Sequence, residues 1–183
     1  MPLELHSKED LCAAALAVAK ALGPHTTYAL VGGSACALLG SHRATEDIDF
    51  VHQLFEVEPK TNHTKCMMGK PIPIQILAPP AQFRESFDEL TPVVMIRNVK
   101  VLKPSLLLNA KCGAVVERSG EDKKKSDALD ILFLLRYCAR NDRPLPGEVP
   151  NATKQFVDVF NCMYHVETLW TDAGYDLENG CFK

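Results

Sequence analysis

The chain has 183 residues, 46% apolar and 23% charged, a composition that suits one globular domain with a substantial core. Its formal charge of -3 excludes a broad basic field, so non-specific nucleic-acid binding is not expected. Seven scattered cysteines, with no C-x-x-C pair and no histidine at zinc spacing, speak against a zinc module and for reduced thiols in the cytoplasm.

In chain order, residues 7–22 (SKEDLCAAALAVAKAL) read as a helix, with Ser7 and Asp10 spaced as a capping box and Gly23-Pro24 as its stop. The acidic residues Glu4, Glu9 and Asp10 do not suit a signal peptide, and no later segment has the length of a membrane span, so no membrane partner is expected. Residues 27–31 (TYALV) form a short strand that runs into Gly32-Gly33, and SACALLG continues as a helix. In DIDFVH at 47–52, apolar Ile48 and Phe50 alternate with Asp47 and Asp49, the period of a strand carrying both aspartates on one face. Residues 58–70 are polar and give no clear pattern. Strands follow at 71–78 (PIPIQILA, with Gln75 its one polar side chain), 93–96 and 99–102.

From Pro104 the period becomes helical. SLLLNAKCGAVVERS and DALDILFLLRYCAR are two amphipathic helices joined by GEDKKK, LPGEVP at 145–150 is a linker, and 152–172 is a last helix before a featureless tail. The sequon Asn151-Ala-Thr153 has no role in a chain without an export signal. The lone Trp170 belongs to a core or an interface.

The chemistry concentrates at 31–50. A tight Gly-Gly turn opening a helix lets a phosphate reach backbone N–H groups, and Ser34 can add a hydroxyl contact. Asp47 and Asp49, two residues apart on one strand face, can share a divalent cation such as Mg²⁺, the usual arrangement for phosphoryl and nucleotidyl transfer. A Rossmann site lacks its G-x-G-x-x-G here, and a P-loop lacks its terminal Gly-Lys-Ser/Thr. The plainer readings are a simple turn, solvated carboxylates, an Arg43 that pairs with Glu46 or Asp47, a snorkelling Lys111, and local charge balance at Asp127 and Asp130.

VGGS followed by twelve residues and DIDF resembles the signature of the nucleotidyltransferase superfamily. The fuller run GGSACALLGSHRATEDIDF, with Arg43 and Thr45 before the aspartates, is similar to the minor nucleotidyltransferases and the AbiEii-type toxin group. The likeness continues with Lys111, Arg118 and Asp127-Ala-Leu-Asp130, and spans roughly residues 25–140. It implies an α/β (α+β) fold, a small mixed sheet flanked by helices. Residues 1–144 would form that domain, and 145–183 a helical extension packed on it. It also implies Mg²⁺ at Asp47 and Asp49, and nucleotide contacts from Gly32, Gly33, Ser34, Arg43, Lys111 and Asp127. Asp130, or Asp127, would assist the attacking group. Such enzymes carry a third carboxylate on a following strand, where this chain has Gln75, an amide that can neither add charge nor act as a base.

Three functions follow as expectations. The first is metal-dependent transfer of an NMP from an NTP to a small-molecule, protein or RNA acceptor. The second is a repurposed pocket around Gln75, with Met67 and Met68 as apolar wall, that binds a partly apolar metabolite or runs a metal-free cyclisation or isomerisation. The third is a non-catalytic partner protein. A homodimer is compatible with all three.

Overall fold

The computed structural model describes residues 6–42, 45, 47–52, 64–68, 70–77, 79 and 83–183. The chain divides into two compact units, Met1–Lys103 and Pro104–Lys183. The 145–150 stretch lies inside the second unit, where Val149 is buried and the Asn151 N–H donates to Asn109 Oδ1 at 2.8 Å.

The first unit begins with α1 (Lys8–Leu22). Ser7 caps it as expected: its Oγ accepts from Asp10 N at 3.1 Å and donates to Asp10 Oδ2 at 2.8 Å, satisfying one of the orphan donors of the first turn. Leu11, Ala14, Ala15 and Ala19 are buried, and this small-residue stripe permits close packing. Next come β1 (Tyr28–Val31), α2 (Gly32–Leu39), β2 (Ile48–His52), β3 (Thr64–Met68), β4 (Lys70–Leu77), β5 (Val93–Ile96) and β6 (Val99–Leu102).

The six strands form one mixed sheet in the order β3-β4-β2-β1-β6-β5. β1 runs antiparallel to β2, with Val31 opposite Asp49, and parallel to β6. β2 runs parallel to β4, with Asp49 beside Gln75. Burial on both faces explains why β1 is apolar throughout, whereas β2 alternates and sends Ile48 and Phe50 into the core. On β4 the buried side chains are Ile72 and Ile74, so these two belong to the core. β5 and β6 form a hairpin over Arg97-Asn98, both at positive φ (50° and 66°), a turn whose twist suits the strands it joins. Lys100 on β6 donates from Nζ to the carbonyls of Pro24 and Thr26 at 3.1 and 2.9 Å, and lies 5.2 Å over the Tyr28 ring.

The second unit holds α3 (Pro104–Glu117), α4 (Glu121–Arg140), α5 (Lys154–Tyr164), α6 (Glu167–Asp172), β7 (Tyr175–Asp176) and β8 (Cys181–Phe182). The charged run EDKKK is the first turn and a half of α4: Lys123 to Lys125 are a solvated helix start, and the joint to α3 is shorter than GEDKKK. The expected helix over 152–172 is two helices, because His165 turns left-handed (φ 53°) and closes α5. The tail forms the β7–β8 hairpin. Trp170 is fully buried, with ring centroids of Tyr175, Phe160, Phe156 and Phe182 at 5.4, 6.0, 6.3 and 6.3 Å.

The sequon is built into this unit: Asn151 Nδ2 donates to Asn109 O at 3.1 Å, and Thr153 Oγ1 caps α5 by accepting from Phe156 N at 3.2 Å. No helix among the described residues is long and apolar enough to cross a membrane. None of the seven cysteines forms a disulfide among the described residues.

Candidate functional site

Two groups of polar side chains emerge, one in each unit. In the first unit β1 passes directly into α2 at Gly32, whose φ of 66° suits glycine. A Cβ at this position would overlap Asp49 Oδ2, so the missing side chain is the space that the Asp49 carboxylate fills. Ser34 is fully buried; its Oγ donates to Val31 O at 3.0 Å and accepts from Asp49 N at 3.2 Å. The hydroxyl's one proton therefore goes to the β1 carbonyl, and Ser34 ties the head of α2 to β2. The N-cap residue of α2, Val31, offers no side-chain hydrogen bond to the first turn.

Asp49 is half-buried between fully buried Ile48 and Phe50, which puts its carboxylate on the face of β2 away from the core, and half-buried Asp47 directly precedes the strand. Thr45 is buried, and its Oγ1 lies 3.5 Å from Asp47 Oδ1, at the limit of a hydrogen bond. Gln75, exposed, stands directly beside Asp49 on the parallel strand. Arg43 lies outside the described residues. Met67 and Met68 lie on β3, at the sheet's edge, paired with Pro71 and Lys70.

Two neighbouring carboxylates are hard oxygen donors suited to Mg²⁺, which takes one or two protein carboxylates and completes its shell with substrate phosphates and water. Among the described residues no group of three or more His, Cys, Asp or Glu side chains is placed to hold a metal ion.

The second group is carried by α3 and α4. Lys111 Nζ lies 2.6 Å from Asp127 Oδ1 and 2.8 Å from Asp130 Oδ2, and Arg118 Nε lies 2.7 Å from Asp127 Oδ2. Lys111, Asp127 and Asp130 are 8%, 2% and 0% exposed, so the two helices are joined through buried charge. The four formal charges sum to zero. Burial by itself would raise the Asp127 carboxyl, but Lys111 and Arg118 outweigh it and hold the group below the usual carboxylate range. Asp127 and Asp130, three apart on α4, face α3 together.

Lys111, Asp127 and Asp130 thus come together, as do Gly32, Ser34, Asp49 and Gln75. Arg118 and Thr45 were not singled out as site residues by sequence reasoning. The signal for Arg118 was its place between Lys111 and Asp127 in the charge order; for Thr45, its position two residues before Asp47.

Among solved structures, the chain is similar to the crystal structure of an antigenic nucleotidyltransferase-like protein from Paracoccidioides brasiliensis. The TM-score is 0.64 at 17% sequence identity, over 98% of this chain and 97% of that one. No family model matches the chain, and no curated protein matches it significantly. At this identity the likeness speaks for architecture: the chain has a nucleotidyltransferase-like fold, a mixed sheet flanked by helices.

Proposed function

We propose that the protein is a metal-dependent nucleotidyltransferase that moves an NMP unit from an NTP to a small-molecule, protein or RNA acceptor in the cytoplasm. The observation that carries this reading is the fit of the Asp49 carboxylate into the space left by Gly32 at the head of α2, with Asp47 directly before β2. In this reading Asp47 and Asp49 hold Mg²⁺, and the backbone N–H groups at Gly32 and Gly33 receive substrate phosphates. The bound ion would neutralise charge that develops on the transferred phosphoryl group. Ser34 fixes the distance between the phosphate-binding turn and Asp49 through its bond to Asp49 N. Lys111, Asp127 and Asp130 act by holding α3 to α4, because all three are buried and the Lys111 ammonium is paired with both carboxylates.

A second reading is supported by Gln75. Its neutral amide sits beside Asp49, where a third carboxylate would serve as ligand or base. A repurposed site that binds a metabolite or runs a metal-free reaction accommodates that amide without loss.

Calorimetric titration of ATP and then the other NTPs separates the two readings, run with Mg²⁺, with EDTA, and on Asp47→Ala/Asp49→Ala. Binding that needs both the metal and the aspartates supports transfer. Absence of NTP binding under every condition defeats it and turns the search to metabolites.

A further inference from the structure

The sheet ends on β5, and that edge is unusually bare. In the β5–β6 hairpin Ile96 and Val99 flank the two-residue turn and form a hydrogen-bonded pair, so Val94–Val101 is the next such pair. The Lys103 N–H donating to Pro92 O at 3.0 Å continues the alternation. The N–H and C=O groups of Val93 and Met95 therefore point away from β6, toward the open edge, where no described residue pairs with them.

The side chains of the same two residues are 37% and 59% exposed, and Leu90 close by is 84% exposed. Natural sheets protect such an edge with a lysine, a proline within the strand or a bulge. Val93-Val94-Met95-Ile96 carries none of these.

We propose that β5 is a self-association surface whose partner is a second copy of this chain, paired antiparallel across a two-fold axis at Val94. In this register Val93 of one copy lies opposite Met95 of the other, and each such pair exchanges its outward N–H and C=O groups. The alternative register centred on Met95 would require the left-handed turn residue Arg97 to join the ladder, so the Val94 axis uses strand residues alone.

The charges favour a like partner over a foreign strand. Exposed Glu89 lies in the turn before the strand and exposed Arg97 in the turn after it, and the Val94 axis sets Arg97 of each copy opposite Thr91 of the other, two residues from Glu89. The exposed Val93 and Met95 side chains of the two copies become cross-strand neighbours on one face. This inference is independent of what the candidate site binds.

Sedimentation velocity over a concentration series of the full chain tests it. The expected result is a mass that rises with concentration from 20.2 kDa toward twice that value. Met95→Lys and Arg97→Glu should each shift the transition at least tenfold upward in concentration, and Arg97→Glu/Glu89→Arg should restore it. Val94→Cys, which faces its own copy across the axis, should form a reducible dimer under copper-phenanthroline, with wild type as the control for the native thiols. A wild-type chain that stays monomeric throughout overturns the proposal. So does a dimer insensitive to both edge variants and not trapped by Val94→Cys, which would use another surface. Should Met95→Lys fail to fold, the Arg97→Glu/Glu89→Arg exchange on the exposed turn decides alone.

Discussion

Replacing Lys111 by methionine keeps the length of the side chain and removes the charge between Asp127 and Asp130. Both carboxylates are almost fully enclosed, and Asp127 keeps its bond to Arg118. Removing one member of a buried ion pair costs about 3–5 kcal/mol, because the remaining charge is left in a poorly solvating place. An exposed pair is worth about 0–1 kcal/mol. For a chain of this size each kcal/mol moves the melting temperature by about 2–4 °C, so Lys111→Met should lower Tm by about 6–20 °C. Far-UV circular dichroism in thermal and urea melts reads the change. Lys111→Met/Asp130→Leu should recover part of the loss, since deleting both members removes the buried charge that Lys111 no longer neutralises.

The pH dependence has a definite sign. Asp127 has a lowered folded pKa, so its contribution is fully present above the ordinary unfolded carboxylate value of about 3.9 and is lost as pH falls through the lower folded value. The gap between wild type and Lys111→Met should be widest near neutrality and narrow in acid, where a protonated carboxyl needs no counter-ion. A loss below about 1 kcal/mol at neutral pH, the size of an exposed pair, would refute the buried clamp and return Lys111 to the solvent, available for a ligand.

Gly32→Ala combines positive φ with an overlap on Asp49 Oδ2. It should cost about 1–3 kcal/mol in a urea melt and abolish any Mg²⁺-dependent ATP binding, whereas Asp49→Asn should remove that binding with much less effect on the melt. Thiol titration with an aromatic disulfide should find Cys162 and Cys181 fast in the native protein. Cys36, Cys112 and Cys138 should react only on unfolding, since all three are buried and burial pushes the Cys112 thiol far up. Rapid native reaction at Cys112 would contradict its packing.

Much of the first unit was legible because its residues obey one local rule each. Ser7 and Asp10 specify a helix start, Val31 to Ser34 a strand-to-helix turn, and the alternation of Asp47, Ile48, Asp49 and Phe50 a strand with a polar face. β3 was not legible: Thr64-Lys65-Cys66-Met67-Met68 has no alternation, and its state depends on pairing with β4, which no local pattern encodes. Lys123 to Lys125 read as a solvated helix start, and because glutamate is also a good helix former the helix begins two residues earlier, at Glu121.

The hairpin of the tail rests on Asp176. Its carboxylate accepts from the N–H groups of Glu178 and Asn179 at 2.9 and 3.1 Å, a turn chemistry visible in Asp-Leu-Glu-Asn-Gly only once the flanking aromatic residues are known to be buried. In the candidate site the two aspartates follow from period alone. The bond from Asp49 N to Ser34 Oγ spans fifteen positions and needs the β1–β2 register to exist. The order of Lys111, Arg118, Asp127 and Asp130 was visible, but not that they satisfy one another. α3 is not amphipathic as expected: its apolar residues surround the helix, so its sequence does not show which side meets α4.

The grip of Lys100 on the carbonyls of Pro24 and Thr26 bears on how short this protein can be made. The likeness that covers roughly residues 25–140 invites trimming α1 away. A chain beginning at Tyr28 would lose both of the ammonium's carbonyl partners, and with Leu11, Ala14, Ala15 and Ala19 the apolar layer that α1 contributes. The first helix is thus a working part of the sheet's own unit, and the smallest piece that folds should include it from its Ser7 cap onward.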